Sequence, residues 1–328
     1  MNEKQEITSD QSTRVDISVI IINWNSVNFL RACLASLQRQ SRRPKEVIVI
    51  DNASFDGVAD MLREEHPDVM FLQSRENLGF SKANNVAAKH ATGSLLLFLN
   101  PDTEVPAKGI EALHDAAVEI GEFGVLGPVL LNSDGSLQLS AAQAFPTILN
   151  QVLDSEHLRR RFPRLRIWGM KPFLDETRSR AECISGACML MTAKLFWELQ
   201  GFSEKYFMYS EDVDLSFRAA KAGRHNYIIP EVRVLHHGGG SSSKRPNTFA
   251  VTTMRESRFR FFAANRSVFY AQCFKISIGA SALLRLLALT FARSSARTDG
   301  ARRLKLENAC IKWKAVLVWA LTCRVDGK

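Results

Sequence analysis

A doubly wound, mostly parallel α/β sheet followed by a helical C-terminal region is the fold this sequence predicts. The runs "ISVIIIN" (17–23), "EVIVIDN" (46–52) and "SLLLFLNPD" (94–102) are almost continuously apolar, the mark of strands buried on both faces of a parallel sheet. Segments of helical period separate them, as parallel crossovers require. Polar residues gather where each run ends, and in such sheets ligands collect at the carboxyl ends of the strands.

Taken in order, the first strand ends in "NWN" (Asn23 to Asn25) and leads to a helix through Leu30, Leu34 and Leu37. The second ends at Asp51 and Asn52, with Ser54 and Asp56 in the turn beyond, and a helix over 57–66 leads to the third strand, "VMFLQS" (69–74). The stretch "ENLGFSKANN" (76–85) carries Asn77 and Asn85 and opens a helix over 80–90, after which the fourth strand delivers Asn100 and Asp102. No G-x-G-x-x-G and no G-x-x-x-x-G-K-[ST] follows any strand, so dinucleotide and P-loop readings lose their main support. Each polar residue also has a local explanation: Asp51 and Asn52 as an Asx turn, Asp102 as a cap, Asn77 and Asn85 as loop hydrogen-bonders. Those local roles do not explain why all of them meet at one edge.

The second half opens with "GVLGPVLLNSDGS" (124–136), a strand and a turn. Residues 140–182 are irregular, with aromatics and the basic run "RRRFPRLR" (159–166), and read as a lid or acceptor-side insertion. "CISGACMLM" (183–191) predicts one buried strand entered through Ser185 and Gly186, then a helix around "KLFWELQGF". In "FMYSEDVDLSFRAAKAG" (207–223) the acids Glu211, Asp212 and Asp214 open an apolar helical repeat. Helix chemistry alone accounts for much of this: Ser210 as N-cap, acids at the positive end of the dipole, Arg218 pairing with Asp214, Gly223 as the stop. "HNYIIPEVRVLHHGGGSSSKRP" (225–246) is then a strand ending in His236 and His237, and a loop with Lys244 and Arg245.

At 328 residues there is ample length for a core, and six cysteines without C-x-x-C spacing indicate reduced thiols rather than zinc or a disulfide framework. The polar stretch 1–14 lacks the features of a signal peptide and is expected to be a disordered lead-in. The net charge of +9 is local: residues 255–328 hold fifteen Lys and Arg against four acids. There the charge flanks an aliphatic helix instead of interleaving with stacking aromatics, so no nucleic-acid partner is expected. Lys275 and Arg285 interrupt the apolar segment and count against a bilayer span. A helix lying at an anionic membrane surface fits better, with Arg293, Arg297, Arg302, Arg303 and Lys305 reading the lipid charge; the alternative is a helical subdomain packed on the enzyme or on a partner.

The ordered set "IINWN", "VIVIDNASFDG", "NLGFSKANN", "FLNPDTEV", "ISGACMLM", "FMYSEDVDLSFRAAKAG" and "VLHHGGGSS" resembles the family 2 glycosyltransferases of GT-A fold, particularly the rhamnosyltransferase-like bacterial members. Beyond the polar lead-in at 1–14, the resemblance covers roughly residues 15–245 and implies a glycosyltransferase domain there, divided into a nucleotide-sugar half (15–123) and an acceptor half (124–245). A basic amphipathic helical region follows at 246–328. It also implies an inverting transfer from a dTDP- or UDP-sugar to a hydroxyl of a lipid-linked or cell-surface glycan. Rhamnose is the sugar suggested, with galactosyl or N-acetylglucosaminyl transfer and a non-catalytic scaffold as alternatives. The setting would be cytoplasmic, peripheral at the inner face of the cell membrane. In this family pattern Asp51 contacts the nucleotide base, with Asn23, Asn52, Ser54, Asn77, Asn85 and Asn100 around the donor. The metal motif reads Asn100-Pro101-Asp102, so Asp102 anchors a Mg²⁺ or Mn²⁺ ion together with His236. Asp212 is the catalytic base, and Gly186, Glu211 and Asp214 support the acceptor side. One departure from the pattern is Ser203, where the family has Asp after "GF"; Glu204 is the neighbouring acid. The chemistry asks for these groups on its own terms: a hard cation offsets charge on the leaving diphosphate, and a carboxylate takes the acceptor proton.

Overall fold

The computed structural model describes residues 14–54, 56–153, 177–238, 247–295 and 300–323, with isolated positions between 158 and 167. Of the expected lead-in, residues 1–13 lie outside the described residues, as do most of the "RRRFPRLR" run, the Lys244–Arg245 loop, Arg297 and the side chains of Arg293 and Arg302. Arg14 already belongs to a strand.

The first half runs β1 (Arg14–Asn23), α1 (Val27–Gln38), β2 (Arg43–Asp51), α2 (Val58–Glu65), β3 (Met70–Gln73), α3 (Gly79–Ala88), β4 (Leu95–Leu99), β5 (Thr103–Glu104) and α4 (Gly109–Ile120). The second half runs β6 (Leu126–Leu131), β7 (Ala142–Gln143), α5 (Ile148–Val152), β8 (Ser179–Ala181), β9 (Cys183–Ile184), β10 (Cys188–Thr192), α6 (Ala193–Glu198), α7 (Glu211–Lys221) and β11 (Asn226–His236). The main sheet has the order β3-β2-β1-β4-β10-β6-β11-β5, with β8 on the flank of β11. Its long pairings β1–β2, β1–β4, β2–β3 and β6–β11 are parallel, while β10 runs against both β4 and β6.

Alternation along the strands explains why the sheet is covered on both faces. Ile17, Val19 and Ile21 pack into one core with Leu30, Leu34, Ile110 and Leu113. Ile20, Ile48, Leu96 and Phe98 pack into the other with Ala83, Ala87, Phe196 and Leu215. Each fully buried aliphatic side chain of this kind contributes roughly 1.5–3 kcal/mol, which makes a continuous apolar strand worth its loss of solubility.

Residues 183–191 depart from expectation, because they form two strands and not one. β9 pairs with β7 in a separate ribbon, and β10 enters the main sheet beside β4. The cause is that backbone groups between them are diverted: Gly186 N–H donates to Asp212 Oδ2 at 2.9 Å, and Ala187 C=O accepts from Asn100 N–H at 2.9 Å.

The described chain divides into two compact units, the first drawn from residues 1–145, 163–207 and 211–240 and holding the sheet. The second, drawn from 146–162, 208–210 and 241–328, is built on α8 (Thr248–Asn265), α9 (Val268–Ser295) and α10 (Gly300–Thr322). Asn247 caps α8 by accepting from Ala250 N–H at 3.0 Å, and Phe262, Phe274 and Trp319 form an aromatic centre, with Phe262 and Phe274 centroids 4.9 Å apart. The two cations that interrupt the apolar segment turn inward. Lys275 donates to the carbonyl of Cys323; Arg285 donates to Val152 O at 2.9 Å and lies 4.3 Å over the Trp313 ring. Among the described residues one helical stretch, Val268–Ala292, is long and apolar enough to cross a membrane.

Candidate active site

The site is built at the carboxyl edge of the parallel strands. Asn23, the last residue of β1, and Asp51, the last of β2, are fully buried and joined by an Asn23 Nδ2–Asp51 Oδ1 hydrogen bond of 2.9 Å. Asp51 Oδ2 accepts from Ser54 N–H at 2.9 Å and from Gln73 Nε2 at 2.8 Å. Ser54 Oγ in turn accepts from Asn25 N–H at 2.7 Å, and Asp56 accepts from Val27 N–H at 2.9 Å in the first turn of α1. The loops after β1 and β2 are thereby locked together. Asn25 (φ 51°) and Ala53 (φ 62°) both sit in the left-handed region there, a conformation that non-glycine residues hold only when their surroundings enforce it. Sequence reasoning left Gln73 and Asp56 out of the site, although Asp56 stands in the same turn.

The predicted amides of the third loop have mostly internal tasks. Asn52 Oδ1 accepts from Leu78 N–H at 2.7 Å, and its Nδ2 donates to Asn77 Oδ1 at 3.0 Å, which also accepts from Gly79 N–H at 2.9 Å. Asn85 makes a reciprocal pair with the Phe202 backbone, at 2.8 and 2.9 Å, and reaches Glu204 at 3.4 Å. It braces the 201–204 loop carrying Ser203. Gly79 was not singled out from the sequence. Its φ of +74° and the 2.5 Å that would separate a Cβ from Phe207 O admit only glycine, and Phe80 N–H donates to that carbonyl at 2.8 Å.

After β4, the backbone of Asn100 binds Ala187 while its side chain faces His236 Nε2 at 3.4 Å. Asp102 Oδ1 lies 3.3 Å from the same nitrogen, and its side chain is 11% exposed. His236 reaches this point because β11 pairs with β5, aligning His236 with Thr103. Its Nδ1 is 2.6 Å from Gln138 Oε1, a nearer acceptor than Asp102 Oδ1 at 3.3 Å from Nε2, so a neutral ring with its proton on Nδ1 would present the Nε2 lone pair to Asp102. His237 is occupied elsewhere, between Glu104 at 3.0 Å and Ser133 at 2.8 Å. Among the described residues no cluster of three or more His, Cys, Asp or Glu could hold a metal. A carboxylate and an imidazole lone pair converging on one point do fit a divalent ion that takes its remaining ligands from phosphate and water. Behind this loop, Cys33 Sγ lies 3.7 Å from Thr103 Oγ1, and burial pushes its thiol up to about 12.

The acidic cluster resolves into unlike environments. Asp214 is 4% exposed, accepts from Arg218 Nε at 2.6 Å and takes the Tyr206 hydroxyl at 3.2 Å. Glu211 is buried as well. Asp212 is half-buried and, among the described residues, accepts from two backbone donors, Gly186 N–H at 2.9 Å and Val213 N–H at 2.8 Å. A Cβ on Gly186 would come 3.3 Å from Asp212 Cβ, so the glycine sets how closely the turn approaches the carboxylate. Ser210 does not cap α7 as expected: its φ of 68° is left-handed, and its buried Oγ has no hydrogen-bond partner among the described residues. The cap position needs extended backbone, which that φ precludes.

The turn 185–188 therefore connects the Asn100–Asp102 loop to Asp212, through one backbone–backbone hydrogen bond and one from backbone N–H to the Asp212 carboxylate. A carboxylate suited to an ion and a second one with no cationic partner among the described residues have the chemistry for the leaving and attacking ends of a displacement, respectively.

Comparison with known proteins agrees with this geometry. The family model "Glycosyl transferase family 2" matches residues 18–200. The chain is 30% identical over 313 residues to an N-acetylglucosaminyl-diphospho-decaprenol L-rhamnosyltransferase of Mycobacterium tuberculosis, covering 88% of this chain and 97% of that one. It is 24% identical to the low-salt glycan biosynthesis hexosyltransferase Agl10 of Haloferax volcanii, over 76% of each chain. Among solved structures, a mannosyltransferase from Pyrobaculum calidifontis in complex with GDP-Man and Mn²⁺ superposes with a TM-score of 0.57 at 16% identity, covering 95% of this chain and 88% of that one. From its motifs, its sheet and these likenesses, the chain belongs to glycosyl transferase family 2 and is a glycosyltransferase of GT-A fold.

Proposed function

We propose that this glycosyltransferase is metal-dependent and inverting, and that it moves a sugar, rhamnose in the first instance, from a dTDP- or UDP-sugar to a hydroxyl of a lipid-linked glycan. The observation that carries the proposal is the pairing of Asp102 Oδ1 with His236 Nε2 at 3.3 Å on the same edge as Asp212, which has no cationic partner among the described residues. The similarity to a relative named for rhamnosyl transfer to a diphospho-decaprenol-linked sugar supports the choice of sugar and acceptor. Bound between Asp102 and His236, a Mg²⁺ or Mn²⁺ ion supplies charge neutralisation for the leaving diphosphate. Asn100 orients the imidazole, the Asn23–Asp51–Ser54 network shapes the nucleotide end, and Asp212 accepts the acceptor's hydroxyl proton. Direct displacement needs no protein nucleophile, and burial raises both the Cys33 and the Cys188 thiol away from activation.

The test is nucleoside diphosphate release from a panel of nucleotide sugars with Mg²⁺ or Mn²⁺, with and without a chelator. One donor is expected to turn over slowly, dTDP-rhamnose first, with all turnover lost on chelation. Turnover of a UDP-hexose instead would move the assignment to galactosyl or N-acetylglucosaminyl transfer. Nucleotide binding with no turnover, even with lipid-linked glycan added, would make the protein a scaffold.

For the setting, we propose peripheral attachment at the inner, anionic face of the cell membrane through the helical unit. With Lys275 and Arg285 turned inward, the outer face of α9 presents Phe269 (78% exposed), Ile276, Leu283, Leu284, Leu287 and Phe291 (75% exposed), and no charged side chain between Phe269 and Phe291 is exposed. Such a face lies flat at the headgroup boundary, and the exposed cations Arg303, Lys305 and Lys314 of α10 suit anionic lipid. Flotation with phosphatidylglycerol vesicles is expected to carry the protein at low salt, and Phe269→Ser with Phe291→Ser to weaken it at least tenfold. Equal recovery of the double variant would refute attachment through this face.

A further inference from the structure

Behind the Gln138 contact with His236, the side chains of the turn after β6 form one continuous chain of hydrogen bonds. His236 Nδ1–H donates to Gln138 Oε1 at 2.6 Å, and Gln138 Nε2 donates to Asn132 Oδ1 at 3.1 Å. Asn132 Nδ2 donates to Ser136 Oγ at 2.9 Å, and the Ser136 hydroxyl donates to Asp134 Oδ1 at 2.6 Å. Every link donates in the same direction, away from the imidazole, and the chain ends on a carboxylate. Aligned hydrogen bonds polarise one another, so the carboxylate stabilises the whole sequence of donors in that sense.

The orientation of Gln138 does not rest on one contact. Its Nε2 also faces the backbone carbonyl of His236 at 3.4 Å, so turning the amide over would set an oxygen against two acceptors. Its backbone is held too, with Gln138 N–H donating to Leu130 O at 2.9 Å. The turn has the shape to bring these groups together: Asn132 N–H donates to Ser136 O at 2.8 Å, Gly135 N–H donates to Asn132 O at 2.9 Å, and Gly135 takes φ +77°.

We propose that Gln138, backed by Asn132, Ser136 and Asp134, is a positioning residue that fixes the tautomer and ring orientation of His236 so that the Nε2 lone pair faces Asp102. Histidines that bind metals depend on such an outer partner for the other ring nitrogen, and its loss costs about 10–100-fold in metal affinity. The inference builds on the metal-dependent reading above, but its primary readout does not require a metal.

The experiment compares full-length wild type with Gln138→Leu and Gln138→Glu. Long-range ¹H–¹⁵N spectra of the metal-free protein report which nitrogen of His236 carries the proton, and Mn²⁺ titration in the presence of dTDP, and separately of UDP, reports affinity. Wild type is expected to show a single Nδ1–H tautomer. Gln138→Leu should show both tautomers and bind Mn²⁺ about 10–100-fold more weakly, with metal-free UDP affinity unchanged. Gln138→Glu keeps an acceptor for Nδ1–H, and with Asn132 turning its amide to donate to the second carboxylate oxygen it should restore the single tautomer and bring Mn²⁺ affinity to within a few-fold of wild type. A wild-type tautomer in Gln138→Leu overturns the proposal, and so does a Gln138→Glu protein no better than Gln138→Leu. If wild type binds no Mn²⁺ with either dTDP or UDP, the metal-dependent reading fails, while the spectra still decide whether Gln138 orients the ring.

Discussion

Asp212→Asn is expected to lower kcat by about 10²- to 10⁴-fold, the usual contribution of a positioned general base, with nucleotide affinity little changed. The amide is close in shape to the carboxylate and keeps one oxygen for Gly186 N–H, now 2.9 Å from Oδ2. The Val213 N–H contact is local to the first turn of α7, so its loss costs on the order of 1 kcal/mol. Folding should therefore survive while proton acceptance does not. Asp214→Asn, two residues along the same helix, provides the contrast. It breaks a nearly buried ion pair with Arg218, and the expected result is a loss of about 3 kcal/mol in stability and a smaller change in turnover per folded molecule. Thermal unfolding alongside steady-state kinetics separates the two. If Asp212→Asn retains wild-type kcat, or if Asp214→Asn is the variant that abolishes it, the base has been misassigned.

Asp102→Ala should have the next largest effect, a fall on the order of 10²- to 10³-fold in Mn²⁺ affinity measured with UDP present. Among the described residues Asp102 is the carboxylate that meets His236 at the candidate ion position, so its removal takes away the formal negative charge offered there. Backbone structure around it should hold, because His237 N–H donates to the main-chain carbonyl of residue 102 at 2.9 Å whatever the side chain. Isothermal titration decides the matter, and unchanged Mn²⁺ affinity in the variant would place the ion elsewhere.

The parallel core was legible because a strand buried on both faces must be apolar at successive positions, as "ISVIIIN" and "LLLFL" are. The candidate site was legible to the extent that strand ends are marked by abrupt polarity: Asn23, Asp51, Asn100 and Asp102 stand there in the structure. What could not be read depends on partners distant in sequence. Asn85 and Phe202 are 117 residues apart, and His236 and Gln138 are 98 apart, with no local pattern announcing either pair. The break between β9 and β10 was hidden for the same reason, since the groups that draw the backbone away belong to Asp212 and Asn100. Hydropathy counted Lys275 and Arg285 as interruptions, whereas the side on which a cation emerges is settled only by the carbonyls that receive it.

Cys33 gives the Asn100–Thr103 loop a clock. The thiol is fully buried on α1 and touches Asn100 O and Thr103 Oγ1, the residues that bracket Asp102. A buried thiol held near 12 offers almost no thiolate to a reagent, so alkylation can proceed only through excursions that expose it to water. The labelling rate of Cys33 at low reagent then measures how often this part of the protein opens, without any dye or substitution near the chemistry. Half-buried Cys273 and Cys323, in the helical unit, mark a separate and faster reference in the same molecule. An ion and nucleotide that tighten the loop should slow the first rate and leave the second alone.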